Sequence, residues 1–369
     1  MRRMPRIKAR SLLSLLAIAP VLSGCQWVVM SPAGDIATQQ KDLILFATGL
    51  MLLIILPVMA LTLLFAWKYR QSNKEAAYEP DWHHSNRLEA IIWGAPIAII
   101  LVLGTATWIG THRLDPYRPL ERIDAARPIP PDSEPLQVQV VSLDWKWLFI
   151  YPQYGIATIN ELAAPVDRPI SFTITSSNLM NSFFVPALAG QIYAMAGMQT
   201  KLHAVINEAG VFDGFSANYT GHGFSHMRFK FHGLDDEAFG AWVAKARASQ
   251  DALTRAAYLE IARPSEAEPV RRFGTFDADL FDRIVNLCVP EGTTCMKDIM
   301  HKDRERISGL GRMGNPAALA EARLEKALAD SLCTTDAPQG PTLAVIAGLS
   351  AKATFRPGET SPRTTILSE

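Results

Sequence analysis

The chain has 369 residues, enough for a membrane segment and at least one sizeable folded domain. Lys plus Arg and Asp plus Glu both number 36, so the formal net charge is zero and no whole-chain electrostatic case for nucleic acid exists. Hydrophobic residues make up 49% and charged residues 20%, an apolar balance for a water-soluble protein, and the excess sits in three early segments, as in a membrane protein.

The first segment follows the basic stretch 1–10. Its apolar run, 12–22, is too short to span a bilayer but suits the core of a secretory signal, so residues 1–24 are expected to be removed. Leu22-Ser23-Gly24-Cys25 reads as a lipobox: small residues admit the peptidase, and the Cys25 thiol accepts a diacylglycerol. The plainer reading is a chance cysteine behind an ordinary signal. Residues 25–42 form a short outer segment. The runs 43–67 and 88–110 each hold about twenty apolar residues, the length that crosses a hydrocarbon core. Pro57 and Pro96 within them are tolerable, because neighbouring helices can re-satisfy freed carbonyls. The loop between them, 68–87, carries Lys68, Arg70, Lys74 and Arg87, whereas the stretch 26–42 carries Lys41 as its one basic residue. The positive-inside rule therefore makes the loop cytoplasmic and puts everything after about 111 outside the cell membrane. A lipidated Cys25 demands the same orientation.

Residues 111–135 form a linker, proline-rich from 116 and correspondingly stiff. The period then changes to two. In 226–231, Met227, Phe229 and Phe231 alternate with Arg228 and Lys230, and 136–141 alternates likewise. Further candidate strands at 147–151, 156–160, 170–175, 201–206 and 211–217 suggest that 136–233 is a β-sandwich. A helical extension, 234–307, follows: Phe239, Trp242, Val243 and Ala246 repeat at helical spacing behind a candidate cap, Asp235, and Leu280, Phe281, Ile284 and Val285 repeat behind Asp277. Residues 308–369 are rich in Ala, Gly, Pro and Thr without a period and are expected to be poorly ordered.

A lipobox, two spans and a sandwich in this order resemble the second subunit of haem-copper terminal oxidases. Asp144-Trp145-Lys146-Trp147 with Tyr151-Pro152 is similar to the tryptophan-rich strand of that family, and Asn181-Ser182-Phe183-Phe184-Val185-Pro186 to its His-Ser-Phe-Trp-Val-Pro segment. The segment from Gln191 through Tyr193, Met195 and Met198 resembles the quinol-oxidising branch. The resemblance covers about 25–245. It implies a two-helix transmembrane hairpin carrying an all-β cupredoxin-like Greek-key sandwich, with a C-terminal helical extension.

In the cytochrome c oxidase branch this sandwich holds a dinuclear copper centre. Aligning its loop on Gly221 puts the two bridging cysteines on Ser216 and Thr220, the glutamate on Asn218, the loop histidine on Phe224 and the methionine on Met227. The upstream histidine falls on Asn181. Met227 alone keeps a ligand side chain, and no cysteine lies between Cys25 and Cys288, so the soft thiolates a copper pair needs are missing. His203, His222, His226 and His232 invite a substitute metal site. The strand pattern puts His226 and His232 on a polar face and His222 in a loop, so surface histidines are the stronger reading. Met195, Met198 and Met227 fit an adaptable apolar surface better than a copper site. Without copper beneath them, Trp145 and Trp147 are expected to be packing residues.

The resemblance implies that the redox chemistry lies in a partner, subunit I, which carries the haems and one copper, with further small membrane subunits around it. The complex would oxidise ubiquinol in the membrane lipid, reduce dioxygen to water and pump protons. The present chain would hold no cofactor, support subunit I and contribute to proton entry. The entry candidate is Glu89, at the cytoplasmic start of the second span, although a carboxylate there also suits the helix dipole. Cys288 and Cys295 flank a turn-like Pro290-Glu291-Gly292 and are expected to pair in an oxidising compartment, leaving Cys333 alone. The competing readings are a copper-bearing cytochrome c oxidase subunit and a free-standing outer-face copper-binding lipoprotein.

Overall fold

The six residues Lys-Trp-Leu-Phe-Ile-Tyr from 146 to 151 are all buried, although a strand with one wet face would alternate. The computed structural model shows why: this strand lies at the centre of a sheet covered on both sides. The structure describes residues 27–77, 81, 83–311 and 323–327, the stretch 308–311 through its backbone alone. Residues up to Lys297 and residues from Asp298 onward form two separate units.

Two helices open the first unit, α1 (Asp35–Lys68) and α2 (Asn86–Arg113), both long and apolar enough to cross a membrane. Pro57 and Pro96 sit inside them without ending them. At 1.5 Å per residue α1 is about 51 Å long, well beyond a hydrocarbon core of about 30 Å. The excess is at its start. The helix begins at Asp35, within the segment expected to precede it, because Asp35, Ile36 and Ala37 are buried against the sandwich. Gly34 bridges Ile206, and the N–H groups of Ala33 and Gly34 both donate to Ala187 O.

The sandwich strands are β1 (Leu136–Leu143), β2 (Lys146–Tyr151), β3 (Ile156–Ile159), β4 (Glu161–Pro165), β5 (Ile170–Ser176), β6 (Asn181–Phe184), β7 (Ile192–Ala194), β8 (Thr200–Ala204), β9 (Gly210–Ser216) and β10 (Arg228–Leu234). They are followed by α3 (Asp236–Arg247), β11 (Ala252–Leu253), α4 (Arg255–Ile261), β12 (Arg271–Phe273), β13 (Thr275–Phe276), α5 (Leu280–Val285) and α6 (Met296–Gly311). One sheet has the order β12-β3-β2-β1-β5-β8 and faces a second ordered β4-β10-β9-β6-β7. The pairs β1·β5 and β4·β10 are parallel and the other sandwich pairs are antiparallel, giving the cupredoxin-like arrangement. Trp147, Phe149, Phe183 and Phe229 meet between the sheets, with Phe183 and Phe229 stacked at 5.5 Å. Phe239, Trp242, Val243 and Ala246 of α3 join this core, and Asp235 caps the helix through Ala238 N–H at 2.7 Å.

The extension covers the other face of the six-stranded sheet. Leu148 and Ile150 of β2, with Val141, Leu143 and Ile159, pack against Tyr258, Ile261, Phe273, Leu280, Phe281 and Ile284. Such burial of both faces removes the polar register and leaves a continuous apolar run. The extension is tied down by charge as well. Arg272 of β12 donates two bonds of 2.7 Å to the buried Glu161 of β4. Lys146, 1% exposed, donates to Arg263 O at 2.7 Å and Ser265 Oγ at 2.6 Å, and burial pulls its ammonium below the usual range. Cys288 and Cys295 are joined by a disulfide.

Three expectations need correction. His226 does not lie on a strand: His222–His226 form a short 3-10 turn, and β10 starts at Arg228. The alternation of His226 to Phe231 continues through that turn by coincidence of composition. Asp277 does not cap α5, whose cap position is Asp279; the Asp277 carboxylate instead accepts from Arg255 N–H at 2.8 Å. In the second unit α6 continues to Gly311, with His301 and Glu305 3.6 Å apart at i,i+4 spacing, and 323–327 are also helical. The rest of the expected poorly ordered tail, with Cys333, lies outside the described residues, as do the signal segment and Cys25.

Candidate functional site

The six positions aligned with the copper ligands come from three stretches: the start of β6, the end of β9, and the loop leading to β10. They converge. Antiparallel pairing of β6 with β9 sets Phe183 opposite Ser216, bringing Asn181 alongside. Ser216 Oγ lies 3.2 Å from both Asn181 Oδ1 and Asn218 O, two acceptors for its single proton. Ser216 N–H donates to Met227 O at 3.2 Å, and Asn218 Nδ2 donates to Met180 O at 3.1 Å. Met227 is buried in the core, and Phe224 packs edge-on to Tyr219 at 5.6 Å.

This donor set does not fit a copper pair. At the two bridging positions Ser216 Oγ is bonded into amide and backbone oxygens and Thr220 offers a hydroxyl that is buried without a hydrogen-bond partner among the described residues, neither being a thiolate; the Phe224 ring has no lone pair, and Met227 offers one soft atom. Among the described residues no group of three or more His, Cys, Asp or Glu stands ready to hold any metal ion. The four histidines are dispersed. His203 lies on β8, half-buried, where burial and then Lys201 pull it below its ordinary value. His232 lies on β10, 3.7 Å from Glu161. His226 is exposed, and His222 meets Glu266.

A clasp holds the loop. Trp145, the second residue of the two-residue turn between β1 and β2, has φ 65°, a left-handed conformation uncommon for a bulky side chain. Its Nε1–H donates to Thr220 O at 3.0 Å, and its ring lies so close to Gly223 that a Cβ there would come within 2.5 Å of it. Trp147 is fully buried as expected, but Trp145 is half-buried and covers the loop. On the other side Glu266, from the extension, binds His222 Nδ1 at 2.5 Å and holds that imidazole above its ordinary value. Nothing local in the sequence links His222 to a residue 44 positions away. Since the folded value is raised, the contact is fully formed below the ordinary imidazole value of 6.5 and is lost as pH rises through the raised one. Hydrogen exchange of the 221–226 amides, corrected for intrinsic rates, is therefore expected to accelerate as pH rises above the ordinary imidazole value of 6.5. Glu266→Gln should abolish that pH dependence, and an unchanged profile in the variant would remove the pair as its cause.

At the start of α2, Ser85 caps the helix, its Oγ accepting from Leu88 N–H at 3.4 Å. Glu89 follows in the first turn, half-exposed, with Oε1 2.7 Å from His84 Nδ1. The His84 ring is held from its other side by Asn86 Oδ1 at 2.5 Å. A carboxylate joined to an imidazole at a helix start can exchange a proton with water, and the same placement also suits the helix dipole.

Comparison with known proteins adds the following. Residues 153–232 match the family model described as the periplasmic domain of cytochrome c oxidase subunit II, and residues 247–292 match the COX aromatic rich motif. The second stretch supplies Tyr258, Phe273 and Phe281 to the outer face of the sheet. The chain is 48% identical over 303 residues to the cytochrome bo(3) ubiquinol oxidase subunit 2 of Pseudomonas putida, covering 82% of this chain and 94% of that one. It is 50% identical over 275 residues to the protein of the same name from Pseudomonas aeruginosa, with 74% and 80% covered. It is also 48% identical over 270 residues to the ubiquinol oxidase subunit 2 of Acetobacter aceti, with 73% and 85% covered.

Proposed function

The chain belongs to the subunit 2 family of ubiquinol oxidases, and from that premise we propose that it is the non-catalytic core subunit of a proton-pumping quinol oxidase in a bacterial inner membrane. Ubiquinol gives its electrons within the membrane to a partner, subunit I, which carries the haems and one copper and reduces dioxygen to water. The present chain braces that partner with α1 and α2 and covers its outer face with the sandwich. Further small membrane subunits complete the assembly, and a lipidated Cys25 adds a second hold on the bilayer.

One observation carries this reading over a cytochrome c oxidase subunit: Ser216 and Thr220 stand where the bridging thiolates would be, and Ser216 is bonded into an oxygen and amide network with Asn181 and Asn218. With no acceptor in the sandwich, a soluble one-electron donor has nothing to reduce there. The paired apolar helices also disfavour a free-standing outer-face lipoprotein, for which a lipid alone would serve. Isolation of the intact complex tests the reading. It should contain haem and a single copper and consume oxygen with ubiquinol but not with reduced cytochrome c. Two further coppers, or turnover with cytochrome c, would overturn it.

Glu89 is the residue of this chain assigned to proton entry. Glu89→Ala should slow oxygen consumption and proton uptake several-fold while haem content and subunit stoichiometry stay unchanged. Equal rates in variant and parent would leave Glu89 with the helix-dipole role alone.

A further inference from the structure

A polar cavity of about 380 Å³ lies where the outer ends of α1 and α2 meet the linker. Its depth follows from the helices. If the apolar spans end near Leu43 and Gly110, a rise of 1.5 Å per residue puts Gln39 about 6 Å and Arg113 about 4.5 Å beyond the hydrocarbon. The headgroup layer of a bilayer is about 5–7.5 Å deep on each side, so the cavity opens at its level.

The charges of its walls are unevenly matched. Arg122 is paired bidentately with the buried Asp35 through bonds of 2.9 and 3.0 Å, and Arg118 is paired with Glu121 at 2.5 Å. The two remaining ions are Arg113 and Asp115. The Asp115 carboxylate accepts the Tyr117 N–H at 2.9 Å, and among the described residues neither ion has an oppositely charged side chain within 4 Å. A guanidinium and a carboxylate thus both line the cavity, each with unused capacity. A ligand that carries a phosphate and an ammonium on one short tether satisfies both. A purely anionic headgroup would meet the Asp115 charge, and a quaternary ammonium has no N–H to donate to it.

We propose that this cavity binds the headgroup of one outer-leaflet phospholipid of the ethanolamine type, its phosphodiester on Arg113 and its primary ammonium on Asp115. The proposal rests on α1 and α2 spanning the membrane. The lipid fills the notch between hairpin and sandwich and seats the outer domain at a fixed height on the bilayer.

The intact complex, stripped of lipid in detergent, is titrated with phosphatidylethanolamine, phosphatidylglycerol or phosphatidylcholine and examined by native mass spectrometry, with soluble phosphoethanolamine and inorganic phosphate as competitors. One phosphatidylethanolamine should be retained about tenfold more tightly than the other two lipids. Arg113→Gln should weaken all three, and Asp115→Asn should remove the preference for ethanolamine. Unchanged retention in both variants, equal retention of phosphatidylglycerol, or full displacement by inorganic phosphate would each overturn the lipid site. A complex that stays dispersed without detergent would instead overturn the spanning helices on which the proposal depends.

Discussion

Arg272→Ala is expected to lower the stability of the outer domain by about 3 kcal/mol, the low end for breaking a buried pair because a quarter of the arginine side chain still meets water. The loss comes from what remains. Glu161 is 8% exposed, and without the two guanidinium bonds its carboxylate keeps, among the described residues, only His232, 3.7 Å away. Because Arg272 lies on β12, which pairs antiparallel with β3, the strain reaches the seam between extension and sandwich. Urea denaturation of the full chain in detergent, followed by tryptophan fluorescence, reads the shift in midpoint. Arg272→Lys should recover only part, since an ammonium cannot make both parallel bonds. A loss under about 1 kcal/mol would mean that the pair behaves like a surface contact.

Gly34→Ala should be as damaging, and its effect should fall on assembly. A methyl group at Gly34 would stand 2.6 Å from Val205 O and 2.7 Å from Leu188 O, both backbone atoms of the sandwich that cannot rotate away. Relief requires the start of α1 to withdraw, which breaks the Ala33 and Gly34 bonds to Ala187 and separates Asp35 from Arg122. Overpacking of this kind costs about 3 kcal/mol. The expected outcome is a sharp drop in assembled, haem-bearing complex, together with new protease cleavage in the linker. Parental yield and an unchanged digestion pattern would show that the junction adapts.

The parts of the fold that were legible in the sequence obey local rules. Both spans follow from apolar length, and β1, β5, β8 and β9 from alternation or apolar runs between turn residues. The α3 face is a plain helical repeat behind a true cap. Three sandwich strands were not legible: β4 follows β3 with no turn segment between them, and β6 and β7, of four and three residues, are too short for a period, β6 being noticed through its resemblance to a family segment. The alternation at 226–231 ran across a boundary that only φ and ψ distinguish, which misplaced His226. The amphipathic pattern at 280–285 gave the right helix but the wrong cap, since Asp277 turns to Arg255.

The site divides in the same way. Loss of the copper ligands was legible because it depends on residue identity at a few positions. What fills their place was not, because Ser216 with Asn181, Trp145 with Thr220 and Glu266 with His222 are contacts between residues 35 to 75 positions apart. The same holds for Lys146, charged in the sequence yet buried to hold the 263–265 segment.

The burial of the first turn of α1 among sandwich residues has a consequence for biogenesis. Ala33 and Ile36 share a core with residues between Leu136 and Ala246, so the sandwich lacks one wall until that end of α1 has docked on it. Contacts so distant in sequence form late and slowly. If α1 and α2 span the membrane as proposed, delivery of the amino-terminal end to the outer side and completion of the β-fold become one coupled event, and a chain inserted the other way round is left with an unfinished outer domain.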